Sequence, residues 1–293
     1  MMASPLALAL ASPSLAPWLS SEAAATSTAL ASAVALAAAR TVPLAWLVPV
    51  FGGPRVAAPF RVGLGVLLAL LCLPAVYPAV VPGPIGRSGA PALGPVAWAL
   101  VGARELLVGA TVGFCAAAMF AAAAAAGRLV DLARGTNVAE ILSPTSGQRT
   151  SPTAELYVLL AMLVFFEVGG LGALATALGR SYEAVPVVPG GPSFAGLRPA
   201  AMLVITCVAK LLESAVGLAA PVLVAMWLGD AALGVLARVV PQLPLGLAAV
   251  PAKALLGLGL LLLGLGAVDA ALAAGLPGWL VLWQRAFAVW RGP

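Results

Sequence analysis

Ionisable side chains stand inside stretches that are otherwise hydrocarbon. Arg104 and Glu105 interrupt Val96–Ala126, and Glu167 lies within Ala154–Leu178. Lys210 and Glu213 interrupt Ala200–Leu228, and Lys253 and Asp269 stand near the two ends of Leu245–Leu276. Acids in such places can carry protons, and cations beside them make ion pairs. Facing lipid at a helix centre, each costs about 2.5–3.5 kcal/mol. A chain that keeps them either lines a hydrated path or shields them behind protein. Lys210 and Glu213 are three apart, share a helical face and are expected to pair locally. Arg104 and Glu105 point about 100° apart, so each is expected to find its partner on another helix or subunit. Lys253 and Asp269 can snorkel from segment ends, which Glu167, deep in its segment, cannot.

The rest of the usual chemistry is missing. There is no histidine, which excludes His-ligated haem, histidine-built zinc-protease sites and Ser–His catalysis. Cys72, Cys115 and Cys207 lie singly in apolar runs, without metal-ligand spacing, and read as small buried hydrophobes. No catalytic residue, cofactor site or metal site is assigned. The net charge of +5 comes mostly from scattered arginines, with no basic tract for nucleic acid.

The elements that hold these residues are membrane helices. The chain is 62% hydrophobic and 9% charged, with mean hydropathy +1.10, against about 25% charged in a soluble domain. At about 20 residues per span, 293 residues accommodate about six apolar segments in an all-α, polytopic membrane protein. The first run, Ala23–Ala39, stops at Arg40 and resumes as VPLAWLVPVFGG, where Pro43 and Pro49 should kink or split it. Arg40 is counted here with the loop arginines that set orientation. The others are Val62–Val81 and the four already named. Residues 1–22 read as an uncleaved tail, 23–276 as one polytopic domain, and 277–293 as an aromatic, weakly basic tail suited to a membrane interface.

Between the third and fourth segments lies the longest polar island, Gly127–Pro152, GRLVDLARGTNVAEILSPTSGQRTSP. Its polar groups cannot face lipid, so it sits in water, lines an aqueous path or is buried in protein. Gly135, Pro144 and Gly147 break helix, while Thr136, Asn137, Ser143 and Gln148 offer hydrogen bonds without charge.

The ordered motifs resemble the FliR/SctT family, with its HrcT-, YscT- and SpaR-like branches: export-gate proteins of bacterial flagellar and virulence-type type III secretion. They are Arg40 with PVFGG at Pro49–Gly53 and Pro59–Arg61; RELLVG at Arg104–Gly109 with Gly113-Phe114; and AGRLVDLARG at Ala126–Gly135 with Pro144 and Gln148–Pro152. Then come FFEVGG at Phe165–Gly170, Ser181-Tyr182, Pro186, and Ala220–Gln242 with Pro251 and Lys253. Pro244 departs from the family, which has a polar residue after the Pro-Gln pair.

The resemblance implies a pore-forming structural subunit of a helical export gate in the bacterial inner membrane, passing unfolded polypeptides. Its partners would be FliP/SctR-like, FliQ/SctS-like and FlhB/SctU-like subunits, besides membrane lipid. Arg104, Glu105, Asp131, Glu167, Lys210 and Glu213 become charges buried in the assembly. The polar island becomes a plug, with Asn137, Glu140, Ser143, Pro144 and Gln148 in the closed pore. Asp230, Arg238, Pro241, Gln242 and Lys253 become a cytoplasmic turn for docking. The likeness around Gly127–Pro152 leans to the virulence branch. The competing reading is a proton-coupled secondary transporter of a small solute, using Glu167 or the Lys210/Glu213 pair.

Overall fold

The computed structural model describes residues 16–53, 56–80, 95–135, 151–187, 194, 196–239, 245–288 and 290. Among them the regular structure is helical: α1 Ala16–Leu47, a 3-10 turn Pro49–Phe51, α2 Ala58–Val80, α3 Pro95–Arg134, α4 Pro152–Glu167, α5 Gly170–Ala184, α6 Leu197–Val239 and α7 Leu245–Ala288. Among the described residues four helices are long and apolar enough to cross a membrane, and α4 with α5, bent by 73°, adds a fifth if the pair is counted as one broken span. The protein is therefore an all-α, polytopic membrane protein.

Several boundaries differ from the sequence reading. Pro43 does not split α1; the helix runs through it to Leu47. The break comes at the second expected proline, in the turn Pro49–Phe51 closed by Gly52 at φ 113°. The fourth segment breaks at Val168–Gly169, where Gly169 takes φ 75° and is free of the Cβ clash other residues meet there. Two polar connections and the aromatic tail are partly helical. Residues 127–134 extend α3, 229–239 extend α6 and 277–288 extend α7. Alanine, leucine and arginine make up more than half of the first two stretches and favour helix whether or not their surroundings are polar. The lengths of α3, α6 and α7, 40, 43 and 44 residues, correspond to about 60–66 Å of rise. That is about twice a hydrocarbon core of ~30 Å.

The helices group into two compact units. In the first, α1 and α2 meet where Thr41 Oγ1 contacts the Gly65 carbonyl at 2.7 Å. A Cβ on Gly65 would lie 2.8 Å from Val42 Cα, so only glycine permits that approach. The start of α3 packs on α1 in the same way. A Cβ on Gly113 would lie 2.9 Å from Leu44 Cα, and one on Gly109 would overlap the Arg40 carbonyl. Small residues four apart let membrane helices approach backbone to backbone.

The second unit contains the rest of α3 with α4, most of α5, α6 and α7. Its centre is Phe165, whose ring lies 5.5 Å from Phe120 and 6.0 Å from Trp283. Trp283 Nε1 donates to the Cys115 carbonyl at 2.9 Å, giving the buried indole its hydrogen bond. Cys115 and Cys207 are buried free thiols with sulfurs 3.0 Å apart, and Cys72 is half-buried. Trp279 and Trp283 are buried, so the stretch read as a separate aromatic tail contributes to this core.

Gly109→Val is expected to lose about 1–3 kcal/mol or more by overpacking, seen as a lowered thermal midpoint in detergent. Gly102→Val, on the same helix with nothing within 4 Å of a new Cβ, should leave the midpoint unchanged. Equal midpoints for the two variants would refute the close crossing.

Candidate functional site

The best-defined polar site is built around Arg40, within the first unit. Because Gly109 lets α3 ride on the Arg40 backbone, Glu105, one turn earlier, faces the Arg40 side chain. Arg40 Nε donates to Glu105 Oε2 at 2.7 Å, and Nη2 completes the ion pair. Nη1 donates to Ser181 Oγ at 3.1 Å and Nη2 to the Val185 carbonyl at 2.9 Å. The guanidinium lies over the Tyr182 ring, 4.2 Å from its centroid, and the Tyr182 hydroxyl donates to the Ala37 carbonyl at 3.3 Å. Arg40 is 1% and Glu105 0% exposed, so this is a dry ion pair held by hydrogen bonds at its edges.

Arg104 is also buried. Its Nη2 donates to the Pro186 carbonyl at 2.6 Å and lies 3.4 Å from Glu105 Oε1. Arg104 and Glu105 thus meet at one corner, but the principal partner of Glu105 is Arg40, on another helix of the same chain. Sequence reading missed Arg40. Two signals could have found it: a single arginine between apolar runs, and the Gly109/Gly113 spacing that marks a close crossing opposite.

A second polar site lies in the other unit, where α3 ends and α4 begins. Gly135, at φ 75°, ends α3. Asp131, 2% exposed, accepts from Ser151 Oγ at 2.5 Å and the Thr153 amide at 3.1 Å on Oδ2. On Oδ1 it accepts from Thr153 Oγ1 at 2.5 Å and Arg134 Nη1 at 3.5 Å. Ser151 is the N-cap of α4, its Oγ accepting from the Ala154 amide at 3.3 Å. The carboxylate therefore satisfies a free amide of the first turn and sits at the positive end of the helix. Gly127 permits the contact, since a Cβ there would run into the Ala154 backbone. The clamp joins the described residues on either side of 136–150. The expected plug residues Asn137, Glu140, Ser143, Pro144 and Gln148 lie outside the described residues, as do Pro241 and Gln242.

The remaining assignments divide. Lys210 and Glu213 pair at 3.2 Å on a half-exposed face of α6, as their spacing predicts. Lys253 Nζ reaches Asp230 at 2.7 Å, linking α7 to α6. Asp230 and Arg238 do not form a turn; both are exposed on helix α6. Glu167 stands at the break between α4 and α5, midway along the pair. It is the exposed last residue of α4, because the Val168–Gly169 break makes a corner there. Asp269 is half-buried on α7.

The profile of the family described as "Bacterial export proteins, family 1" matches residues 31–275. The chain belongs to this family. It is 27% identical over 207 residues to the flagellar biosynthetic protein FliR of Bacillus subtilis, covering 70% of this chain and 75% of that protein. It is 33% identical over 150 residues to the Yop proteins translocation protein T of Yersinia pestis, covering 51% and 57%. The secretion system apparatus protein SsaT of Salmonella typhimurium is 28% identical over 225 residues, covering 76% and 83%. The FliR/SctT reading of the sequence therefore holds. With its apolar spans, the chain is a multi-pass protein of the bacterial inner membrane. The family match takes in Arg40, Glu105, Asp131 and the Asp230–Lys253 pair, and stops before the last turns of α7.

Glu105→Ala leaves Arg40 without its buried anion and is expected to cost about 3–5 kcal/mol, read as a lower thermal midpoint and reduced folded yield. Replacing both partners, Arg40→Leu with Glu105→Leu, should recover most of that loss, since apolar pairs of similar volume substitute for buried ion pairs. A Glu105→Ala protein with the native midpoint would show the pair to be solvated.

Proposed function

We propose that the protein is a pore-forming structural component of a type III protein export apparatus, passing unfolded polypeptides across the inner membrane. The observation that carries the reading is the family match over residues 31–275, which includes every charged cluster described above. The names of the relatives support the same class: a flagellar biosynthetic protein, a Yop translocation protein and a secretion apparatus protein. The partners are other membrane subunits of the gate, of the FliP/SctR, FliQ/SctS and FlhB/SctU types. The long apolar faces of α6 and α7 support assembly, since only 28% and 22% of their windows are buried within the chain. The role is structural, with energy supplied elsewhere in the apparatus.

Residues 136–150 are assigned to the plug that seals the resting pore. The Asp131 clamp supports this assignment, because it fixes both neighbouring helix ends of the segment at one place. A segment held so can be displaced without unseating α3 from α4. The family match favours this reading over a small-solute transporter, since the named relatives are export and secretion proteins.

Deleting Ala139–Gln148 leaves the Asp131, Ser151 and Thr153 clamp untouched. The gate complex is therefore expected to assemble and co-purify with its other subunits, while its conductance in planar bilayers rises above that of the native complex. An assembled deletion complex with native conductance would sink the plug assignment.

A further inference from the structure

On the second unit, α6 and α7, with Met119 and Ala122 of α3 at one end, line a groove made of two cavities, about 250 and 270 Å³. The cavities share Gly217, Leu218 and Ala271 in their walls, so they run into one another. One end is polar, with Lys210, Glu213 and Ser214 in its lining. The other is hydrocarbon, bounded by residues such as Pro221, Val222, Leu260 and Gly264. We infer that this groove is a binding site for a phospholipid with an amine-bearing zwitterionic headgroup, the phosphate on Lys210, the ammonium on Glu213 and one acyl chain in the apolar arm.

The charges place the headgroup. From Glu213 to Asp230, α6 carries no ionisable residue, a rise of about 26 Å. On α7 the charge-free run from Lys253 to Asp269 rises about 24 Å. Asp230 and Lys253 pair across the two helices at one end of this slab. Lys210, Glu213 and Asp269 mark the other. The slab is close to a hydrocarbon core of about 30 Å, so the Lys210/Glu213 end falls at headgroup level and the apolar arm points into hydrocarbon. The pair is open to a ligand: Glu213 is 71% exposed and Lys210 36%. The lining holds one cation and one carboxylate, Lys210 and Glu213, which favours a headgroup that carries both a phosphate and an ammonium over one with a phosphate alone. The room comes from small residues. A Cβ on Gly264 would meet nothing within 4 Å, and one on Gly217 likewise.

The groove lies on helices whose open faces the export reading gives to assembly, so the first test uses the isolated chain, where its outcome does not depend on that reading. The full-length chain in mixed micelles is offered equal phosphatidylethanolamine and phosphatidylglycerol, and retained lipid is counted by native mass spectrometry. The native chain should keep the ethanolamine lipid by about fivefold over the glycerol lipid, the scale of one exposed ion pair. Glu213→Gln should erase that preference. Gly264→Leu, whose Cβ meets nothing within 4 Å and whose side chain enters the apolar arm, should lower retention of both lipids, while Gly266→Leu, outside the groove, should not. Equal retention of the two lipids by the native chain, or unchanged retention in Gly264→Leu, overturns the inference. In membranes, a photo-cross-linking residue at Ser214 should capture lipid; capture of another protein subunit instead also overturns it.

Discussion

Burying Arg40 against Glu105 is the constraint on which the first unit depends. A guanidinium at 1% exposure is tolerable only if its charge and its donors are met inside the protein. Glu105 meets the charge, Ser181 and the Val185 carbonyl meet donors, and the Tyr182 ring covers a face. Three separate parts of the chain must therefore converge on one side chain. A pair of this kind adds little net stability over an apolar contact but is costly to leave half-made. It acts as a register lock: α1, α3 and the end of α5 cannot slide past one another without exposing an unpaired charge to a dry interior.

Glycine makes that lock geometrically possible. Gly109 and Gly113 bring the α3 backbone against α1, and Gly65 does the same for α2. Without a hydrophobic force between helices in lipid, close van der Waals contact and hydrogen bonding must supply association. The same device recurs in the second unit, where Gly127 lets α3 touch the first turn of α4. There the closeness serves Asp131, which binds Ser151 and Thr153 directly. In both units a small residue fixes a crossing, and a buried charge one turn away reads out that the crossing is correct.

The functional consequence is a division of labour. Charges met within the chain, Arg40, Glu105, Arg104 and Asp131, hold helices in register. Charges on the open faces, Lys210, Glu213, Asp230 and Lys253, are only partly covered by the chain itself. An export component needs both: a rigid frame around any segment that moves, and faces shaped for what surrounds it. Helices of about 60 Å or more also reach beyond a single bilayer thickness, which suits a part built into a larger assembly.

Composition and hydropathy alone determined that the chain is helical and crosses a membrane, because hydrocarbon solvent leaves few other ways to satisfy a backbone. The i, i+3 spacing was enough to pair Lys210 with Glu213, since that contact needs only one helix. The ordered motifs determined the family. Sequence could not place the helix ends, because polar stretches such as Gly127–Arg134 keep good helix formers and polarity does not by itself break a helix. It missed the corner after Glu167, because that corner depends on Gly169 taking a positive φ. Above all it passed over Arg40 as a loop charge. Whether a lone arginine faces water or a carboxylate is decided by which helix crosses it. That crossing is set by the shape of Gly109 against a backbone 69 positions away in sequence, a contact only the tertiary structure makes.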